Sequence, residues 1–265
     1  MTPTGNGFFS GGGLLELGVE RGGCEVQQSF EVDPVCCATI RRNHPRRVVM
    51  EGDITRTGDE MFLHALRFQA LRPTAAYGME NVPGMRKFPV VMEAMTKLPG
   101  YYVTVFCPVS AQTWLPQRRD RLIIIGTRRP FNFRPPEQTR AVSLAEILEE
   151  EPKVEIPDYV YRRLRGQYRD LPIISDPARG DIAPTCVAHY AKDLSTRLVR
   201  DARFPAGVRT YSVREYARLQ GVPDTYEFCG TPRQQYRQIG NGVAVPVGEW
   251  LGRELHRYFN HHAAA

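Results

Sequence analysis

The first half of the chain alternates short apolar runs with stretches of helical periodicity, and this alternation constrains the fold more than any other feature. The predicted strands span residues 24–30, 47–50, 74–79, 101–107 and 121–127, and the predicted helices span 14–21, 34–43, 60–71 and 88–97. Strands separated by helices are typical of a parallel α/β sheet. With 265 residues, the chain is long enough to bury such a core without disulfides or metal.

The pattern changes in the second half of the chain. Prolines cluster at 130–136 and 152–157, and regular periodicity fades until about residue 208. Ser212 with Glu215 three residues later forms a capping box that predicts a helix over 212–219, and a last helix is predicted over 245–259. We therefore predict one domain made of residues 1–130 and 209–265, and a second, smaller region over residues 131–208.

Basic charge is concentrated in one part of the chain. Residues 162–214 carry 11 basic and 5 acidic side chains, a surplus equal to the net charge of +6 of the whole chain. All but four of the 35 basic residues are arginine, whose planar fork suits phosphate and guanine. Charge alone leaves a nucleic-acid surface and an ordinary solvated face equally open.

Several classes of protein are not expected from this sequence. No apolar run approaches the roughly 18 residues of a membrane helix, and the first residues show no secretory signal. We therefore expect a cytoplasmic protein with six reduced cysteines and no contact with a membrane. No cysteine pair has the C-x-x-C spacing, so no metal site is expected.

A glycine-rich turn at residues 9–13 precedes the first predicted helix. Glycines allow a backbone to approach a ligand closely, and a helix start presents free N–H groups. Glu31 and Asp53 follow the next two predicted strands, where acids can bind ribose hydroxyls and an adenine amino group. Taken singly, the glycine-rich turn is typical of a flexible loop and each acid of an ordinary helix cap. The three features in this order favour a nucleoside cofactor.

Taken together with four later motifs, these residues resemble the DNA cytosine-5 methyltransferases, which use S-adenosylmethionine (SAM) and are typical of restriction–modification systems. The motifs occur in family order as Phe9-Ser10-Gly11-Gly12-Gly13, Glu31, Asp53-Ile54, Glu80-Asn81-Val82, residues 116–121 (PQRRDR), residues 214–221 (REYARLQG) and Gly240-Asn241-Gly242-Val243. The resemblance implies a Rossmann-like SAM-dependent methyltransferase sheet with a small target recognition domain, which residues 131–208 would form.

The resemblance also implies which residues bind the cofactor. The expected SAM contacts are Phe9, Gly11, Gly13, Leu14, Glu31, Val32, Asp53, Ile54, Asn241 and Val243. Here Glu31 would bind the ribose and Asp53-Ile54 the adenine, while the closing motif around Asn241 would return to the same pocket.

Catalysis in this family acts on a cytosine flipped out of double-stranded DNA. C5 of cytosine is not nucleophilic enough to attack a methyl sulfonium, so these enzymes add a cysteine thiolate to C6. By resemblance, Glu80 would share a proton with N3 of the base, and Arg119 and Arg121 would hold the ring and its carbonyl oxygen. Without the resemblance, these three residues would be interpreted as surface charges.

The basic region suggests a second contact with DNA. Arg162, Arg165 and Arg169 have three- and four-residue spacing, so in a helix they would cluster on one face and contact phosphates. The alternative is that they neutralise the acidic stretch Glu149–Glu151 within the protein.

The sequence departs from the family at the nucleophile. The family carries a Pro-Cys dipeptide after its fourth strand, between the Asp-Ile and Glu-Asn-Val motifs, but residues 56–79 contain no cysteine. A predicted helix and strand occupy this segment and leave no room for a further strand and its loop. Cys107-Pro108 has the reverse order and lies beyond the Glu-Asn-Val motif, which favours a buried or loop thiol.

The missing strand lies beside the first strand in the family, at the centre of the sheet. Either the strand ending at Glu80 slides in beside the first strand, or a partner chain completes the sheet.

The functional hypotheses divide in the same way. The chain is a DNA cytosine-5 methyltransferase that is active only when a complementing chain supplies the thiol, or it is a catalytically dead homologue that still holds DNA, SAM or a partner subunit. RNA methylation would need the same nucleophile.

Overall fold

A computed structural model describes residues 2–53, 73–139 and 141–263 of the chain. Strands β1 to β9 span Thr4–Phe8, Glu25–Glu31, Val48–Glu51, Ala76–Asn81, Tyr102–Ser110, Asp120–Thr127, Ile173–Ser175, Arg197–Arg200 and Val208–Thr210. Helices α1 to α8 span Leu14–Arg21, Pro34–Asn43, Pro89–Thr96, Leu144–Ile147, Asp158–Arg165, Val213–Arg218, Pro232–Asn241 and Val245–Ala263. None of the helices in these ranges is long and apolar enough to cross a membrane.

The N-terminal sheet has the parallel architecture that the alternation predicts. Its order is β1-β2-β3, and all pairs are parallel, with Phe8 opposite Phe30 and Phe30 opposite Met50. Helix α2 begins after Asp33, whose carboxylate accepts from the Val35 N–H at 2.9 Å, and Pro34 occupies its first turn. The carboxyl ends of β1 and β2 therefore lead directly into the glycine-rich turn and into Glu31.

The second sheet differs from the prediction of an all-parallel arrangement. Its order is β4-β6-β5, and β6 runs antiparallel to both of its neighbours. The physical reason is the short connection between β5 and β6, because a parallel pair would need a crossover of a dozen or more residues. In this register Glu80 lies opposite Ile123.

Between the two sheets the hydrogen-bonded ladder is interrupted. Among the described residues, β1 pairs only with β2, and β4 pairs only with β6. The strand ending at Glu80 has therefore not slid into a ladder with the first strand, which excludes the first of the two alternatives from the sequence for these residues. We call this interruption between the ladder of β1 and the ladder of β4 the sheet gap.

Two helices join the two sheets on one side. Helices α1 and α8 cross at glycines, since a Cβ on Gly18 or Gly22 would overlap the backbone of α8. Leu251 of α8 lies against Gly78 of β4, with its Cδ2 atom 3.1 Å from where a Cβ would stand. The interface places α1 over the first sheet and α8 over the second in one helical layer.

The region predicted for target recognition, residues 131–208, is not separated from the rest of the chain by a large core of its own. Its small sheet has the order β7-β8-β9, and a small apolar cluster of Val160, Leu198 and Val208 is buried against it. Leu144, Cys186 and Tyr190 instead pack with Leu14, Tyr216 and Ile239 in one cluster. The boundary at residues 131–208 therefore remains a prediction, because this core crosses it.

Local sequence signals agree closely with the observed elements. The helices predicted over 14–21 and 34–43 have those bounds, and the Ser212–Glu215 capping box is present at the start of α6. The helix predicted over 60–71 lies outside the described residues.

Candidate active site

The glycine-rich turn adopts a backbone that few side chains tolerate. Phe9, Gly11 and Gly13 have φ of 55°, 53° and 76°, in the left-handed region. A Cβ on Gly11 would meet nothing within 4 Å, so open space lies in front of this residue. The Tyr226 hydroxyl donates to the Gly12 carbonyl at 2.7 Å and fixes the turn from behind. The turn is therefore held in place while one side of it remains accessible.

Glu31 ties the second strand to this turn. Its Oε2 accepts from the Gly11 N–H at 2.7 Å, and its Oε1 accepts from the N–H groups of Val32 and Asp33 at 2.9 and 2.8 Å. Two carboxylate oxygens can accept about four hydrogen bonds, so one position remains for an additional donor. Val32 is 58% exposed beside it.

The closing motif returns to the same turn, as the resemblance implies. A Cβ on Gly242 would overlap the Leu14 side chain, and Gly12 lies against Gln238 of α7. Asn241 is exposed at the end of α7, and Val243 is buried beneath it. Asp53 is exposed two residues after β3, and Ile54 lies outside the described residues.

Glu80 and Arg121 form an ion pair at the carboxyl end of β4. The Nε atom of Arg121 lies 2.5 Å from Oε1 of Glu80, and the two side chains are only 11% and 20% exposed. Burial raises the pKa of Glu80, and the neighbouring charges of Arg121 and Arg119 oppose this shift. The structure therefore brings together two of the three residues predicted for catalysis, around a carboxyl group that burial pushes toward its protonated form.

Arg119 has a different environment from the one predicted. It is 2% exposed, and its guanidinium donates to the carbonyls of Cys186, Gly240 and Gly242 at 2.7, 3.1 and 2.5 Å. Burial, and then the charge of Arg121, lowers the pKa of Arg119 to about 10. These contacts make Arg119 a brace between the recognition region and the closing motif, and they offer no support for a contact with the cytosine ring.

Two buried glutamines, for which the sequence predicted no role, complete this brace. The Gln117 amide donates to the Leu219 carbonyl at 2.6 Å and accepts from the Cys186 N–H at 2.9 Å. Gln220 donates to the carbonyls of Ile239 and Gly242 at 2.7 and 3.1 Å. We call Gln117, Arg119, Gln220 and the carbonyls that they bind the closing network. The signal for it was the pair of glutamines within the motifs at residues 116–121 and 214–221.

All six cysteines lie in the described part of the chain, and none of them occupies the expected place of the nucleophile. Their sulfurs are unpaired, in positions before β2, in α2, in β5, before β8 and before α7, at Cys24, Cys36, Cys37, Cys107, Cys186 and Cys229. Burial raises the pKa of Cys36 and Cys186 to about 12 and that of Cys24 and Cys37 to about 11. Cys107 is half-buried within β5, in the apolar cluster of Tyr77 and Met95.

The arginines predicted to contact DNA do not share one helix face. Helix α5 ends at Arg165, because Gly166 follows with an extended backbone. Arg162 and Arg165 are exposed on its last turn, whereas Arg169 lies beyond the helix and approaches Asp170 at 3.8 Å. The prediction of a three-residue helical cluster is wrong for Arg169, although all three side chains are exposed.

Among the described residues, the contacts to the acidic stretch Glu149–Glu151 come from side chains other than the arginines predicted to contact DNA. The Glu149 carboxylate accepts from the Ser212 hydroxyl at 2.5 Å, and Arg203 donates to the Glu150 carbonyl. Arg163, the inward-facing arginine of α5, pairs with Asp193 at 2.5 Å. No ion pair joins Arg162 or Arg165 to an acid within residues 2–53, 73–139 and 141–263, so the intramolecular alternative gains no support.

Sequence comparisons identify a matching family and several relatives of this chain. A family model described as C-5 cytosine-specific DNA methylase matches residues 59–257. The Type II methyltransferase M.PspPI of a Psychrobacter species is 28% identical over 341 residues, covering 96% of this chain and 79% of that protein. A Type II methyltransferase of Staphylococcus aureus is 25% identical over 328 residues, covering 95% of this chain and 75% of that protein. Both alignments are longer than the 265 residues of this chain, so these relatives contain segments without a counterpart here.

A comparison of folds agrees. The solved structure of the Entamoeba histolytica methyltransferase EhMeth is similar to this chain with a TM-score of 0.80 and 15% sequence identity. The similarity covers 98% of this chain and 99% of the other. The two small sheets therefore belong to one Rossmann-like methyltransferase architecture.

Proposed function

The chain belongs to the C-5 cytosine-specific DNA methylase family, and on that premise we propose that it binds SAM and a flipped cytosine of double-stranded DNA without completing methyl transfer alone. The family acts on DNA and transfers a methyl group from SAM to C5 of cytosine. The observation that carries the proposal is the pairing of a buried, charge-coupled Glu80 with the absence of any cysteine from residues 56–79.

The glycine-rich turn fits the expected cofactor. Gly11 combines a positive φ with open space in front of it, a cradle that a side chain would fill. Glu31 keeps an acceptor position for a ribose hydroxyl, Asp53 lies at the end of the neighbouring strand, and the turn leads into the N-terminus of α1. When SAM is bound, it supplies an electrophilic methyl group. We place its contacts at the residues the resemblance implies, from Phe9 to Leu14 on one side and Asn241 with Val243 on the other.

Glu80 and Arg121 would hold the base. A protonated Glu80 can donate to N3 of cytosine, and its raised pKa favours retention of that proton. The Arg121 guanidinium, already 2.5 Å from Glu80, can turn toward the carbonyl oxygen of the ring. Arg119 acts through the closing network and positions the motif rather than the base. The scaffold for activating cytosine is thus present without the thiolate that must add to C6.

A complementing chain that supplies the thiol would turn this scaffold into an enzyme. Without such a chain the protein is a SAM- and DNA-binding homologue, and this second function is favoured for the isolated chain because all six cysteines are placed elsewhere. Exposed Arg162, Arg165 and Arg169 would contribute phosphate contacts to either function.

Incubation of the purified chain with methyl-tritiated SAM and mixed-sequence double-stranded DNA tests the proposal. We expect acid-precipitable counts at background, because no thiol reaches C6. Transfer of one methyl group or more per chain would overturn the claim of inactivity, and Cys107→Ser would then show whether that thiol replaces the missing one.

A further inference from the structure

A buried carboxylate lies directly beneath the glycine-rich turn, and the proposed function gives it no role. Glu16 of α1 is 5% exposed, and a Cβ on Gly7 of β1 would overlap its Oε1 atom. The strand therefore has glycine at a position where a side chain would exclude the carboxylate. Burial of a charged group costs free energy unless hydrogen bonds and an opposite charge compensate for it. The fold must supply such partners for Glu16.

The partners of Glu16 come from three parts of the chain. Its Oε2 accepts from the Ser29 hydroxyl of β2 at 2.9 Å and from Nη1 of Arg47, just before β3, at 3.0 Å. Its Oε1 accepts from the hydroxyl of Ser10, in the glycine-rich turn itself. Burial raises the pKa of Glu16, and the Ser10 hydrogen bond and the Arg47 charge oppose this shift. The carboxylate therefore joins the turn to β2 and to the residue that precedes β3.

The ion pair with Arg47 does not by itself explain a carboxylate at this position. Nη2 of Arg47 lies 2.5 Å from Oε1 of Glu20, one turn further along α1. His44 lies 3.3 Å from the other oxygen of Glu20, and burial lowers the pKa of this imidazole. Glu20 therefore already provides a counterion for Arg47. The second carboxylate, that of Glu16, calls for a further explanation, and its bond to the turn provides one.

Ser10 is the best-fixed residue of the turn. Its backbone N–H donates to the Phe30 carbonyl at 3.2 Å, and its own carbonyl accepts from the Gly13 N–H at 2.8 Å. On either side of it, Phe9 and Gly11 have left-handed φ values of 55° and 53°. Such backbones persist only where the surrounding structure holds them. The bond from the Ser10 hydroxyl to the buried carboxylate is placed to hold both at once.

We propose that Glu16 is a positioning residue for the cofactor: its carboxylate holds the Ser10 hydroxyl and thereby sets the backbone of Phe9 and Gly11 that receives SAM. The inference rests on the proposed function, because it needs SAM to bind at the glycine-rich turn. Glu16 lies behind the turn and acts through Ser10, without contacting the ligand. Loss of this bond should therefore weaken cofactor binding without removing a group that touches the cofactor.

Two serine variants of the full chain separate this role from a purely structural one. Ser10→Ala removes the bond to the turn, whereas Ser29→Ala removes the other hydroxyl on the same carboxylate and leaves the bond to the turn in place. Because Ser29 is fully buried, its loss should lower the melting temperature at least as much as the loss of the Ser10 hydroxyl. Calorimetry with S-adenosylhomocysteine measures affinity, and amide hydrogen exchange of the free chain reports on the turn.

We expect Ser10→Ala to weaken binding of S-adenosylhomocysteine about tenfold, the scale of one lost hydrogen bond to a charged group. The same variant should speed exchange of the Gly11 and Gly13 amides. Ser29→Ala should change the affinity by less than about twofold, since the bond that it loses does not reach the turn. In a Glu16→Gln background, where the charged acceptor is already gone, Ser10→Ala should weaken binding by less than about threefold.

Equal weakening by Ser10→Ala with and without Glu16→Gln would show that Ser10 contacts the ligand independently, and it would overturn the positioning role. A matching loss of affinity in Ser29→Ala, or unchanged exchange at Gly11 and Gly13 in Ser10→Ala, would also overturn it. If Glu16→Gln does not fold, the two serine variants decide, because affinities that fall in proportion to the melting temperatures would leave only a structural role.

The wild-type chain distinguishes failure of this inference from failure of the proposed function. Binding of S-adenosylhomocysteine by the wild type, with the same affinity in Ser10→Ala, would overturn the positioning role and leave the proposed cofactor site standing. Absence of binding heat from the folded wild-type chain would overturn the proposed cofactor site and the positioning role together.

Discussion

Two regions of the molecule, the closing network and the sheet gap, differ strongly in their hydrogen bonding. Arg119, immediately before β6, donates to the carbonyls of Cys186, Gly240 and Gly242, and these hydrogen bonds tie the region predicted for target recognition to the closing motif. At the sheet gap, the described residues form no ladder between β1 and β4. The residues proposed to bind the cofactor and the base lie beside the closing network, so the proposed site does not depend on a β1–β4 ladder. Residues 56–79 lack the expected cysteine, whereas every residue proposed for binding lies outside this segment.

The largest effect is expected from breaking a buried ion pair next to the closing network. Arg209 and Glu215 are both fully buried, with bonds of 2.7 and 2.8 Å between their forks. Glu215→Ala would leave a buried arginine with only Asp201 as its counterion and would remove the capping box of α6. We expect a loss of about 3–5 kcal/mol in the free energy of unfolding, measured by urea denaturation.

The matched control is Glu249→Ala, which removes a half-exposed partner of Arg253 on α8. This change should cost about 0.5 kcal/mol or less. Similar losses for the two variants would show that the closing side of the molecule is no more tightly bonded than its surface.

The next largest effect is expected from the arginines proposed to contact DNA, and it concerns DNA affinity rather than the stability of the fold. Replacing Arg162, Arg165 and Arg169 by alanine should flatten the slope of log affinity against log salt by up to about 2.7, since each phosphate contact contributes about 0.9. Because phosphate contacts carry no base information, all sequences should be weakened about equally. Fluorescence anisotropy across a salt series measures the slope.

A thermal melt of the same variant separates DNA binding from a structural role. The exposed positions of these arginines predict an unchanged melting temperature. An unchanged salt slope together with a destabilised variant would end the assignment of these residues to DNA and restore the intramolecular alternative.

A third effect concerns the cofactor side, next to the sheet gap. Asp53→Ala should weaken binding of S-adenosylhomocysteine by roughly tenfold, as expected from the loss of one hydrogen bond to a charged group. Glu51→Ala, which removes a nearby acid paired with Arg41 at 2.9 Å, should leave this affinity unchanged. Calorimetry measures both. No binding heat from the folded wild-type chain would contradict the proposed cofactor site.

Sequence reasoning reached the local elements and the motifs, because both depend on short-range signals. The Ser212–Glu215 capping box, the bounds of α2 and the return of Gly242 to Leu14 follow from spacing or from resemblance. The role of Arg119 could not be predicted, since its hydrogen bonds go to carbonyls 67 to 123 residues away in sequence. Backbone acceptors carry no residue-type signal. The sequence left open whether the strand ending at Glu80 pairs with the first strand, and the absence of a β1–β4 ladder among the described residues answers that question.

The smallest effect is a change of stability with pH at Glu80, and it tests whether the base site remains intact beside the gap. Burial raises the pKa of Glu80 in the folded chain above its usual value of 4.5. The folded state therefore retains a proton that the unfolded state has lost. Its contribution to stability is full below the unfolded pKa and disappears as pH rises through the folded pKa. Relative to Glu80→Gln, which cannot titrate, the wild-type free energy of unfolding should fall with rising pH from about 4.5 upward.

Urea denaturation at a series of pH values measures this difference, with Glu93→Gln on the exposed surface of α3 as the control. Because Lys97 lowers the pKa of Glu93, the control should show the opposite sign. A wild-type curve that rises with pH relative to Glu80→Gln would mean that Arg121 outweighs burial and that Glu80 is held as a carboxylate.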